Sequence, residues 1–194
     1  MTILLASHDP QWRIQADFLI GDLIALFGPL AERIDHAGST AIPGIVAKPK
    51  LHLDVSLAGD VFLETARAKL NGLGYADHRH RFRDDEVQLT RPAGTWFAAD
   101  EGVRPRFAMP HRLSLCSAGC PAPLDRRRFR DALQRDTELA QANERLKRQL
   151  AECSNGTIGW SDYAQGKSAF VAAVLADAAA EGENNRDLLQ WLTD

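Results

Sequence analysis

The chain is poor in cysteine and in aromatic residues, has no long hydrophobic run and carries no large excess of either charge. Three cysteines, Cys116, Cys120 and Cys153, cannot all pair within one chain, and Cys116 with Cys120 lacks the second Cys or His pair of a zinc-binding spacing. Neither a disulfide framework nor a zinc finger therefore organises the fold. The apolar stretches are broken by Gly, Asp or Pro, and "MTILLASHDPQW" has no basic n-region, so neither a membrane span nor a signal peptide is expected and the chain reads as cytoplasmic. With 26 acidic against 23 basic residues, bulk affinity for nucleic acid is not expected either. What is present, 45% hydrophobic and 25% charged residues in 194, describes a folded chain able to bury a core.

Periodicity divides the chain. From Gln11 to Ile34, Ile14, Phe18, Leu19, Leu23, Leu26, Phe27 and Leu30 recur at helical spacing, with Asp9 and Pro10 placed to start a helix and Pro29 placed to kink or divide it. A small-residue loop at 36–49 follows, and then Leu51, Leu53, Val55 and Leu57 alternate with Lys50, His52, Asp54 and Ser56, which predicts a half-buried strand. Val61 to Leu73 reads as a helix stopped by Gly72 and Gly74, "EVQLT" and "RLSLC" as further strands, and Thr95 to Ala98 as one short strand. Helices are expected from Leu124 to Ala151 and from Ser161 to about Ala180. The order predicts an α/β (α+β) fold, a small mixed sheet flanked by helices with a helical C-terminal part. Residues 1–180 are expected to form a single domain, and 181–194 a polar tail.

The stretch "HAGSTAIPGIVAKPKLHLDV" (36–55) holds most of the candidate chemistry. A Gly-Ser-Thr turn uncovers backbone N–H groups and adds two hydroxyls, which makes either a tight scaffold loop or an anion-binding nest. On the strand that follows, His52 and Asp54 share one face, spaced so that two side chains can converge on a metal ion. Phosphoryl transfer needs such a pairing of phosphate cradle and carboxylate-held cation. A Gly-Ser turn before a strand with acids at alternate positions is the pattern of nucleotidyltransferases of the DNA polymerase β type. A histidine at one of those positions suits manganese or zinc better than magnesium, which prefers oxygen.

At "HDPQW" (8–12), "HAGSTAIPGIVAKP" (36–49), "FRDALQRDTELAQANERLKRQLA" (129–151) and "YAQGK" (163–167) the chain resembles the GrpB family, a group with a nucleotidyltransferase-like fold that is sometimes found attached to dephospho-CoA kinase. The resemblance implies that fold and a metal-dependent transfer of a nucleotidyl or phosphoryl group to an acceptor it does not name. It also shows departures. Where the family reads Lys-Pro-Ile-Ile-Asp-Ile, this chain has "KPKLHL", which puts His52 at the acidic position and displaces Asp54 by two; where a later strand of the family carries His-Leu-His, Arg112 and Ser114 replace the two histidines. Both changes remove metal ligands and leave a binding module without turnover as the alternative.

The expected site has Asp54, His52 and Glu86 as catalytic residues, Asp54 and His52 holding a divalent ion (Mg²⁺ or Mn²⁺), and Gly38, Ser39, Thr40 and Lys48 around the phosphates of a nucleotide or phosphorylated small molecule. Arg130 with Asp131, and Tyr163 with Lys167, either reach the cleft or serve as local structural pairs. The basic turn "DRRRFR" (125–130) lacks interleaved aromatic residues and reads as a solvated face, not a polynucleotide site. His78 and His80 share a strand face but have no third ligand nearby.

Overall fold

The computed structural model describes residues 4–59, 62–77, 84–96, 104–154 and 165–191, with backbone alone at 179 and 181–191. They fall into two compact units, Ala6–Arg126 and Met1–Leu5 with Arg127–Asp194. The His78 and His80 pair and Tyr163 lie outside the described residues.

The first unit opens with helix α1, Gln11–Phe27. Asp9 starts it, its Oδ1 accepting the Gln11 N–H at 2.9 Å and so satisfying one of the amides that a helix N-terminus leaves unpaired. Trp12, Ala16, Leu19, Leu23 and Phe27 form its buried stripe, whereas Ile14 and Ile24 stay 43% and 56% exposed. The helix does not run on to Ile34. It stops at Gly28, which takes φ 51°, and a 3-10 turn at Gly28–Leu30 absorbs Pro29.

Strand β1, Ala31–Ala37, occupies the remainder of the stretch expected to be helix and the start of the expected loop. Five strands form one mixed sheet in the order β1-β2-β5-β4-β3, where β2 is Leu51–Leu57, β3 Ala76–Asp77, β4 Glu86–Arg91 and β5 His111–Cys116. Helix α2, Leu63–Gly72, lies between β2 and β3 in the chain. β2 and β5 run parallel, and every other neighbouring pair is antiparallel. Gly94 bridges Ala108 just before the short strand expected at Thr95 to Ala98, of which residues 95 and 96 carry no strand and 97–98 are not among those described.

Strand alternation sorts the two faces. Leu51, Leu53, Val55, Leu57, Leu89, Leu113 and Leu115 cluster with the α1 stripe and with Ala66 and Leu70 of α2, and each of these sheet residues is fully buried. At roughly 1.5–3 kcal/mol per buried aliphatic side chain, this layer is what fixes the sheet's register, because a slip by one residue would turn every leucine over. His111 closes the layer: the Tyr75 hydroxyl donates to its Nε2 at 2.6 Å and its Nδ1 donates to the Met109 carbonyl at 2.8 Å. Burial pushes this imidazole down to about 4, so it is neutral, as the acceptor role of Nε2 requires.

The second unit is helical. The segment expected as one helix from Leu124 to Ala151 is broken at Asp136, whose Oδ1 accepts the Leu139 N–H at 2.9 Å, between α3, Ala122–Arg135, and α4, Thr137–Ser154. Helix α5, Ser168–Trp191, continues through the stretch expected to be a tail. No helix among the described residues is long and apolar enough to cross a membrane.

Candidate functional site

The other sheet face is polar, and strand register lays it out in rows. Asp35 pairs with Asp54, Asp54 with Ser114 and Ser114 with Gln88; in the next row Arg33 pairs with Ser56, Ser56 with Cys116 and Cys116 with Glu86; on the other side Ala37 pairs with His52 and His52 with Arg112. Three carboxylates thus share one face, and all are buried: Asp54 2%, Glu86 4% and Asp35 8% exposed. Buried carboxylates need cations or hydrogen bonds.

Each carboxylate has an arginine. Arg33 holds Asp35 through Nε at 2.6 Å and Nη2 at 3.0 Å. Arg126, in the first turns of α3, donates from Nε to Asp54 Oδ2 at 2.8 Å and from Nη1 to Glu86 Oε2 at 3.1 Å, with its Nη2 3.5 Å from the Cys116 sulfur. One guanidinium fork therefore ties β2 to β4 across β5. Burial pushes Asp54 up to about 6 in spite of Arg126, with Glu86 and Asp35 adding to the rise. Burial acts on Glu86 in the same sense, but Arg126 together with hydrogen bonds from Gln88 and Ser114 outweighs it and holds that carboxyl below its usual value. Burial also disfavours the charge on Arg126, and Asp54 and Glu86 more than offset it.

The upper row meets the Gly-Ser-Thr turn. Gly38 takes φ 73°, and a Cβ at this position would stand 3.2 Å from His52 Nδ1, so the turn packs directly on the imidazole. Ser39–Ala41 forms a short 3-10 turn behind it. The Thr40 hydroxyl is buried and paired with His36 Nε2 at 3.0 Å, which commits it to the scaffold. The same His52 Nδ1 lies 3.3 Å from Arg112 Nη2. The Arg112 Nε is buried without a hydrogen-bond partner, and no carboxylate among the described residues hydrogen-bonds this guanidinium. Burial and the neighbouring Arg112 charge both lower the pKa of half-buried Lys50; burial also works against the charge of Arg112, which the nearby Glu86 and Asp54 carboxylates favour and Arg126 opposes. Lys50 and Arg112 thus lie near one another, with Glu86 and Asp54 offsetting part of the Arg112 charge. Lys48 lies half-buried in the same loop.

The donor set does not fit a divalent ion. Asp54 and Glu86 are both engaged by Arg126, and His52 turns Nδ1 toward a guanidinium, where an acceptor is required and a positive metal would be repelled. Among the described residues no three His, Cys, Asp or Glu side chains converge on a point from which they could hold an ion.

The fold thus brings Gly38, His52, Asp54 and Glu86 onto one polar face or its rim, while Arg130 donates to its own neighbour Asp131 at 2.8 Å. Sequence reasoning passed over Arg126, hidden among the arginines of "DRRRFR", and Asp35, at the junction between the expected helix ending at Ile34 and the expected loop. Arg112 was visible in it as a replacement, not as a contributor.

Comparisons with known proteins agree with this architecture. The family model described as GrpB protein matches residues 2–177. A UPF0157 protein of Deinococcus radiodurans is 33% identical over 147 residues, 76% of this chain and 68% of its own length. Another UPF0157 protein, from Halalkalibacterium halodurans, is 27% identical over 180 residues, 92% of this chain and 84% of its own length. The crystal structure of the conserved protein GrpB from Enterococcus faecalis superimposes with a TM-score of 0.73 at 20% identity, covering 92% of this chain and 98% of that one, which is a likeness of fold. With a family model spanning nearly all of its length, the chain belongs to the GrpB family.

Proposed function

We propose that this chain binds the phosphate groups of a nucleotide or phosphorylated small molecule at Arg112, beside the Gly38 turn, on a nucleotidyltransferase-like scaffold that binds without metal-dependent transfer. The observation that carries the reading is the proximity of two cations, Arg112 and Lys50, beside a glycine turn, with the buried Arg112 Nε unsatisfied and no carboxylate hydrogen-bonded to that guanidinium among the described residues. A phosphate would supply the missing acceptor oxygens and relieve the repulsion, and a guanidinium is the side chain best shaped to hold one. Ser39 and the turn's backbone amides contribute donors, and Lys48 a point charge.

Transfer to an acceptor, the other reading, would need Asp54 to hold a metal. The Asp54–Arg126 ion pair at 2.8 Å favours binding alone. The test is a calorimetric panel of ATP, GTP, CTP, UTP and pyrophosphate, with and without Mg²⁺ or Mn²⁺, alongside a pyrophosphate-release assay. Saturable binding that Arg112→Ala abolishes, without release, supports the reading; release that Asp54→Ala abolishes restores the transferase.

A further inference from the structure

A guanidinium and a divalent ion can neutralise the same carboxylates, but they do different chemistry. An ion accepts oxygen ligands at about 2.0–2.6 Å and keeps open positions for water or phosphate. A guanidinium donates hydrogen bonds, offers no coordination site and cannot activate a water. Which cation an acidic face takes therefore decides what it can catalyse.

On this face all three carboxylates are taken by arginine: Asp35 by Arg33, and Asp54 and Glu86 by Arg126. The Arg126 arrangement is a built one. Its two acids are 2% and 4% exposed, they sit on strands separated by β5 and offset by one row, and a planar fork reaching both at 2.8 and 3.1 Å spans that offset. Gln88 Nε2 donates to Glu86 Oε1 at 2.6 Å and fixes the second acid from its own strand. Cys116, fully buried, lies against the remaining nitrogen. Nothing about this arrangement resembles a surface arginine resting on a free acid.

We propose that Arg126 is the resident cation of this face, standing between Asp54 and Glu86 where a divalent ion would have to stand, so that the wild-type chain takes up no Mg²⁺ or Mn²⁺ there and removal of the guanidinium creates a site for one. The two carboxylates then remain buried side by side, and a divalent cation is the ligand that neutralises both. Phosphate binding at Arg112 is a separate matter: the metal titration keeps Arg112 in place throughout, because its charge acts on Glu86 and Asp54, and its outcome does not depend on whether phosphate binds.

The experiment is Mn²⁺ titration followed by electron paramagnetic resonance on the full chain, for wild type, Arg126→Gln, Arg126→Ala and the double variant Arg126→Gln/Asp54→Asn. The expected result is no Asp54-dependent uptake by wild type, uptake by Arg126→Gln that is at least about tenfold tighter than the weakest binding the titration would detect in wild type, and its loss in the double variant. Thermal unfolding with and without Mn²⁺ supplies a second readout, since a variant too unstable to titrate would be rescued by the ion it now binds. Wild-type Mn²⁺ binding that Asp54→Asn removes would overturn the proposal, as would an Arg126→Gln protein that folds and gains no affinity.

Discussion

Arg126 Nε lies 2.8 Å from Asp54 Oδ2, and the aspartate is almost wholly buried at 3% side-chain exposure while the arginine side chain keeps 31%. The pair is thus an internal ion pair with one end open to solvent. Its geometry decides how the polar face responds to mutation, acid and ligand.

Removing the cation should cost more than removing an exposed ion pair. Arg126→Ala leaves Asp54 and Glu86 buried without their common partner, and breaking a buried pair from one side typically costs about 3–5 kcal/mol. Urea unfolding at pH 7 measures this. The deficit should shrink toward pH 5, because the orphaned acids, their folded pKa values raised further, keep protons that the unfolded chain has released, so the variant loses stability as pH rises through those values. A deficit that grows on acidification would contradict the assignment.

Gly38→Ala and Gly44→Ala separate backbone strain from contact. Both glycines have positive φ, 73° and 80°, so each substitution carries a strain of roughly 1–2 kcal/mol, but a Cβ at 38 meets His52 Nδ1 at 3.2 Å and one at 44 meets nothing within 4 Å. The larger loss of melting temperature, and any loss of phosphate binding, should appear at 38 alone. Equal behaviour of the two variants would mean that the turn does not press on the imidazole.

The helical unit holds a lysine that works against folding. Lys147 is 3% exposed, and burial, with the neighbouring Lys167 charge, pushes it down to about 7. Between that value and its ordinary 10.5 the unfolded chain carries a proton that the folded chain does not, so stability should climb with pH across this window. Lys147→Met should flatten the climb and raise stability at pH 6, where the penalty is close to full and of the order of several kcal/mol. Denaturant titrations at pH 6 and pH 9 test this; an unchanged slope in the variant assigns the pH dependence to another group.

Much of the scaffold was legible in the sequence. Leu51, Leu53, Val55 and Leu57 alternate without a break and became β2 over the residues expected, while Asp9 began the first helix where a cap was anticipated. β1 was not legible, because "AERIDHA" offers Ile34 as its one large aliphatic residue among charges, and its strand conformation comes from pairing with β2. The chain also read as uninterrupted helix through Asp136, where one carboxylate oxygen starts a new helix. At the site, the Gly38 turn and the Asp54 strand could be read locally. Arg126 could not, since three consecutive arginines look alike until burial and two acids from distant strands single one out.

The Gly38 turn and Arg112 are proposed to hold phosphate without a metal. Isothermal titration calorimetry of ATP, GTP, CTP and UTP, each in EDTA and in excess Mg²⁺, against wild type and Arg112→Ala is the most direct measurement. At least one nucleotide should bind in EDTA with an affinity that Mg²⁺ does not improve, and Arg112→Ala should weaken this binding by about tenfold or more. Binding that appears only with Mg²⁺ and vanishes in Asp54→Ala would contradict it.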